Sequence, residues 1–313
     1  MTPDQTRMLE GPMGEHIRQL TARAAAAIRP WLPRRLRAGL PVVPVVRLGG
    51  VIGMSTPLRP GLSIASVARM LDRAFGIRGA RAVALAINSP GGSAVQSHLI
   101  YRRIRALAEE KKLPVIAFVE DVAASGGYML ACAADEIVCD PASIVGSIGV
   151  IGASFGFPEA MRKLGIERRV YTAGDHKSTL DPFLPENEND VARLKAVQQD
   201  IHRMFIALVR ERRGERLHGT DDTLFTGEYW VANTARDLGL VDQLGDIRSF
   251  LRDRFGAEVA TPLVAAERSL FGRRPQGVAA FTRDALFGVP RPGLADEIIS
   301  ALEARAIWAR FGL

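Results

Sequence analysis

Residues 114–134 open with Pro114-Val-Ile-Ala-Phe-Val119, pass Glu120 and Asp121, and run on as Val122-Ala-Ala-Ser125-Gly-Gly-Tyr128 into an alanine-rich stretch ending at Ala134. The first part is a short continuous apolar run, the pattern of a parallel strand buried on both faces. From Ala123 the chain reads as a loop that continues into a helix. Ser125 then stands at a helix N-terminus, where free backbone N–H groups and the helix dipole favour negative charge. Such a position suits the oxyanion formed in acyl transfer. Gly126 lets the backbone approach a substrate carbonyl closely. An ordinary N-capping serine fits the same place, and this stretch alone does not choose between the two.

The same alternation recurs on both sides. Val42 to Leu48 is β-branched and bounded by Gly49-Gly50, which predicts a strand. Residues 63–76 carry Ile64, Val67, Ala68, Leu71 and Phe75 at helical spacing. Val83 to Ile87 predicts another buried strand, ending in the tight loop Asn88-Ser89-Pro90-Gly91-Gly92. His98 to Ala108 is helical by period. Ile137-Val138 and Ile148 to Ile151 predict further strands, and 187–213 a long amphipathic helix. Strands alternating with helices imply an α/β fold with parallel sheet layers. Three segments are expected: a basic extension at 1–40, a main domain at 41–250, and a tail at 251–313 with an amphipathic helix from Ala295 to Phe311.

Composition bounds the function. The chain has 313 residues, 47% hydrophobic and 24% charged, an ordinary globular balance. Its net charge of +7 is concentrated in residues 1–40, which hold seven arginines against Asp4, Glu10 and Glu15. No aromatic-rich basic motif accompanies them, which argues against nucleic acid. A basic, alanine-rich segment beside Trp31 and Leu32 suits an anionic membrane surface, or equally a solvated helix or arm. No run approaches the roughly 18–20 apolar residues that span a bilayer, and no secretory signal pattern is seen. The expected location is cytoplasmic, with peripheral membrane contact through 1–40 as the further option. Cys132 and Cys139 are too few for a disulfide framework, and no metal-ligand spacing is present. No cofactor is expected.

Several side chains compete for chemistry. The two glycines at 91–92 can turn a backbone N–H into a cleft, but no phosphate-loop lysine follows, so nucleotide binding lacks support. Ser89 and Ser93 are rival nucleophiles without a helix start plus a glycine pair. A nucleophilic serine needs a base. Of His16, His98, His176, His202 and His218, only His176 is a serious candidate, because it neighbours Lys177. Lysine serves as a base when its charged form is disfavoured. A fall of roughly 3 units from about 10.4 toward 7 corresponds to about 4 kcal/mol, which burial beside apolar groups supplies. Leu180, Pro182 and Phe183 follow Lys177 as such a wall.

Five stretches together resemble the signal peptide peptidase A family, the S49 group of serine peptidases. They are Asn88-Ser-Pro-Gly-Gly92, Ala123-Ala-Ser-Gly-Gly-Tyr128, Gly146-Ser-Ile-Gly-Val150, Gly174-Asp-His-Lys177 and Leu238-Gly-Leu-Val-Asp242. The resemblance covers about residues 42–250. It implies a Clp-protease/crotonase-like superhelical fold, Ser125 as nucleophile and Lys177 as base. It also implies an oxyanion hole from the N–H groups of Gly92 and Gly126, with Ser147 orienting the lysine. Family members form ring or dome homo-oligomers in which neighbouring subunits can complete the dyad. They act on signal-peptide remnants and on other unfolded or membrane-derived chains. Many carry an N-terminal membrane anchor, not seen here, and the tail after 251 has no counterpart. Three other readings share parts of this pattern: a Clp-type triad peptidase, which lacks its histidine here; a crotonase-type acyl-CoA enzyme; and a catalytically silent assembly or membrane scaffold.

Overall fold

The computed structural model describes residues 40–54, 61–174, 176–265 and 294–313, with only the backbone of 294–301. The basic extension therefore lies outside the described residues. The core begins with strand β1 (Val45–Gly49), helix α1 (Ile64–Phe75), strand β2 (Val83–Ser89), helix α2 (Ala94–Lys111) and strand β3 (Val115–Ala124). Helix α3 (Gly126–Ala131) follows, then strands β4 (Glu136–Cys139) and β5 (Ile144–Gly146) and helix α4 (Pro158–Lys163). The long helix α5 (Glu188–Arg213) leads through α6 (Asp221–Leu224) to strand β6 (Tyr229–Val231) and α7 (Ala232–Asp237). Strand β7 (Gln243–Leu244), α8 (Ile247–Phe255) and α9 (Leu294–Ala309) complete the described elements.

The strands form one sheet in the order β1-β2-β3-β4-β7, all parallel. The α/β architecture expected from the alternation is thus present. β2 is buried almost throughout, because helices cover both faces of a parallel sheet. On one face α1, α2, α3 and α5 enclose Leu71, Leu85, Ile104, Leu130 and Phe205. On the other, Ala84, Phe118 and Val138 pack against Leu251 of α8. Cys132 and Cys139 are buried free thiols, and burial pushes the Cys132 thiol up to about 12, so neither is poised to react.

β3 changes partner halfway along. Residues 116–119 pair with β4, whereas Val122, Ala123 and Ala124 pair with β5, which in turn pairs antiparallel with β6. The polar pair Glu120-Asp121 marks the switch, and the sequence reading ended the strand there. In the structure the strand continues to Ala124 and delivers its chain end directly to Ser125. The strand expected at 148–151 is absent, and the pairing residues are instead Ile144–Gly146. The apolar run at 148–151 serves other ends: Ile148 is core, while Ile151 is exposed.

The segment boundary expected at 250 falls inside α8. Beyond it, residues 260–264 hydrogen-bond alongside residues 41–45, with Val43 N–H to the Ala260 carbonyl at 2.8 Å and Val45 N–H to Pro262 at 2.9 Å. This covers the free edge of β1. The tail helix spans Leu294–Ala309.

Candidate active site

Ser125 sits in the turn between β3 and α3 with φ 53° and ψ −120°, a conformation that a side chain disfavours. Its backbone is held on both sides. Its N–H donates to the Gly146 carbonyl at 2.8 Å, and its carbonyl accepts from Met129 N–H at 3.0 Å. Its side chain makes no capping bond, so the capping role considered for it is not used. The half-buried hydroxyl remains for other chemistry.

The Gly91-Gly92 loop is pressed against this turn. A Cβ on Gly91 would lie 2.8 Å from Ser125 Cβ, and one on Gly92 would lie 2.1 Å from the Ile52 carbonyl oxygen. Both have positive φ, so only glycine fits without strain. Ile52 brackets the loop, donating to Gly91 O at 2.8 Å and accepting from Ser93 N–H at 2.8 Å. Among the described residues, no carbonyl accepts from the N–H of Gly92 or of Gly126. The rival serines are occupied: Ser89 is buried and donates to Gly50 O at 2.7 Å, and Ser93 caps α2.

Ser147 follows β5 as Ser125 follows β3. It also has φ 53°, is 8% exposed, and donates its N–H to Glu228 O at 2.6 Å. Gly92, Ser125, Gly126 and Ser147 all line one cavity of about 690 Å³, with Met129, Ile201 and Phe205 as its apolar floor. Four of the five residues singled out from sequence therefore meet.

Lys177 does not join them within one chain. It is exposed, in a turn at 176–180, and is not among the residues lining that cavity. His176 lies over a separate hollow, with Nε2 3.2 Å from Arg193. The segment between β5 and α5 leaves many apolar side chains in solvent, including Phe155 at 80% and Tyr171 at 90% exposure.

Two features of the site escaped the sequence, and a third, the Leu238–Asp242 motif, carried no role there. His202, expected at the surface, is half-buried and its Nε2 lies 3.0 Å from the Ile148 carbonyl, next to Ser147. The C-terminal residues Ile307, Arg310 and Phe311 border the cavity. The Leu238–Asp242 stretch is an anchor: its Leu240 carbonyl accepts from the buried Tyr128 hydroxyl at 2.8 Å, fixing α3. Asp242 accepts two bonds from buried Arg213, at 2.8 and 2.9 Å. Burial pushes the Asp242 carboxyl up, but the Arg213 bonds outweigh it and hold the group below the usual carboxylate range.

Residues 107–254 match a family model described as peptidase family S49. A putative protease of Methanocaldococcus jannaschii is 36% identical over 169 residues, covering 53% of this chain and 52% of that protein. The chloroplastic serine protease SPPA of Arabidopsis thaliana is 30% identical over 220 residues, 68% of this chain and 32% of its own length. A Brucella abortus protein named as the Na(+)/H(+) antiporter NhaA is 53% identical over 283 residues, 90% of this chain. The chain spans only 38% of that protein's length. No helix of the described residues is long and apolar enough to cross a membrane. From the matched segment, the relatives and the mostly parallel α/β sheet that carries Ser125, residues 107–254 of this chain belong to peptidase family S49, with its Clp-protease/crotonase-like fold.

Proposed function

We propose that this protein is an endopeptidase that works through a Ser125–Lys177 dyad and an acyl-enzyme. One observation carries the reading: a serine hydroxyl that makes no capping bond, at left-handed φ, shares a cavity with two glycine N–H groups that have no carbonyl acceptor among the described residues. Ser125 Oγ attacks the substrate carbonyl carbon while neutral Lys177 Nζ takes its proton. The N–H groups of Gly92 and Gly126 donate to the oxyanion. When the C–N bond breaks, the Lys177 ammonium protonates the leaving amine. Water then attacks the acyl ester, passes a proton to Lys177, and the Ser125 hydroxyl is restored. Ser147 orients the lysine.

Lys177 lies on the exposed segment that also presents Phe155, Leu164 and Tyr171. A second copy covering this segment would bury the apolar side chains and disfavour the lysine's charge together. The reading therefore assigns Lys177 to the site of a neighbouring copy in a homo-oligomeric ring or dome. Substrates are extended polypeptides, namely signal-peptide remnants or unfolded and membrane-derived chains. The Brucella relatives, named as antiporters and much longer than this chain, support work beside a membrane. The location proposed is the cytoplasm, with residues 1–40 at a membrane surface.

Mixing tests this directly. Ser125→Ala and Lys177→Ala proteins should each fail to hydrolyse an unfolded protein substrate, and should regain part of the activity after subunit exchange. Full activity of Lys177→Ala alone would remove the lysine from the mechanism. Failure of two assembled variants to complement would return Lys177 to its own chain's site.

A further inference from the structure

The C-terminal residues reach the candidate active site from far outside the segment matched to the family, which ends at 254. Ile307, Arg310 and Phe311 border the same cavity as Ser125, Gly126 and Ser147. Phe311 is only 7% exposed, and with Trp308 it packs on Val122, Ala124 and Ile144. These are the strand ends that lead into Ser125 and Ser147. Tyr229 closes on the other side. Its ring meets Phe311 edge-on at 5.1 Å, and its hydroxyl donates to the Arg310 carbonyl at 3.2 Å. Tyr229 itself pairs with Gly146. The seat of the C-terminal segment is thus built from the three strands around the two serines.

A peptide brought to Ser125 must use the space these side chains border. Among the described residues the seat is small: one buried phenyl ring, the half-buried Ile307 and Trp308 side chains and one side-chain hydrogen bond. Segments held by so few contacts open at low free energy. We propose that residues 302–313 are an intramolecular cover of the cavity, seated where apolar side chains of a peptide would bind, and displaced by substrate. The cover rests on the peptidase reading of Ser125. A cover seated about nine-tenths of the time lowers apparent affinity about tenfold.

The test uses the full chain. A Trp308→Ala/Phe311→Ala variant should hydrolyse a short fluorogenic peptide with kcat/KM about tenfold above wild type, mainly through KM. A synthetic peptide of residues 302–313 should inhibit that variant competitively, and the same peptide with both aromatics replaced by alanine should not. Unchanged or lower kcat/KM, with wild-type melting and assembly, would overturn the cover and make these side chains part of the substrate pocket. Should the double variant misfold, Tyr229→Phe removes only one hydrogen bond and should raise kcat/KM roughly threefold; no rise there overturns the cover as well. Binding is read separately, by anisotropy of the labelled peptide on Ser125→Ala protein with and without the two aromatic substitutions. Tighter binding to the substituted protein, with no hydrolysis by any chain, would keep the cover and sink the peptidase reading. Hydrolysis by wild type, with a peptide that neither binds nor inhibits, would do the reverse.

Discussion

Ser125 and Ser147 leave two adjacent parallel strands side by side: each follows a paired residue, Ala124 against Gly146, and each has φ 53°. The Ser125 N–H to Gly146 carbonyl bond at 2.8 Å ties the two exits together. The shared strain is informative. Two non-glycine residues in a glycine-like conformation border one cavity, and their sheet overrides the local preference of both. The proposal that Ser147 orients the lysine draws on this pairing.

Relief of the strain at Ser125 is measurable. Ser125→Gly should stabilise the fold by about 1 kcal/mol, since glycine accepts this φ without penalty. It should also abolish hydrolysis. Denaturant unfolding of the variant beside Ser125→Ala checks the first point; a less stable glycine variant would show that the turn is not strained.

Lys177→Ala should separate stability from activity. The side chain is exposed in a single chain, so unfolding of the dissociated chain should change by no more than about 0.5 kcal/mol. Loss of a general base should lower kcat about 10²–10⁴-fold. A large change in stability without a change in kcat would contradict the assignment.

Gly92→Ala should damage both fold and chemistry. The new methyl would stand 2.1 Å from the Ile52 carbonyl oxygen, a backbone atom that cannot swing aside. Displacement of the Gly92 N–H should reduce kcat by about 10²–10³-fold, the usual effect of losing one oxyanion donor. Steady-state kinetics on folded variant protein decides it, and wild-type kcat would exclude Gly92 from the oxyanion hole.

The Arg213–Asp242 pair sets an acid limit. Arg213 is 2% exposed, so Asp242→Asn leaves a buried charge uncompensated and should cost about 3–5 kcal/mol. The Asp242 carboxyl lies lower in the folded chain than in the unfolded one. Its contribution is therefore full above an unfolded value of about 3.9 and is lost as pH falls from there through the folded value. Wild-type stability should fall over that window more steeply than that of Asp242→Asn. Parallel curves for the two proteins would show that the pair does not couple stability to pH.

Much of the fold was legible along the chain. α1, β2 and the long α5 appear close to where periodicity set them, because each buries a face that a local pattern records. The run at 148–151 misled, since apolar residues leaving a strand end look like a strand. The extension of β3 past Glu120 and Asp121 was hidden for the opposite reason. Two polar residues interrupt the apolar pattern at the point where the strand exchanges β4 for β5, and pairing rather than side-chain polarity keeps it extended.

The candidate site divides in the same way. Sequence alone determined the glycine pairs, because a close backbone approach tolerates no Cβ and leaves its mark in residue type. It also singled out Ser125, ahead of a glycine pair, as a candidate, while Ser147 entered only through the family resemblance. Only the tertiary structure decided that both serines bend to the same φ, that His202 and Phe311 approach them, and that Lys177 stands in solvent in a single chain. Those facts depend on which strand pairs with which and on contacts between residues more than fifty positions apart. Such contacts place no periodic constraint on neighbouring residues, so they leave no local trace in the sequence.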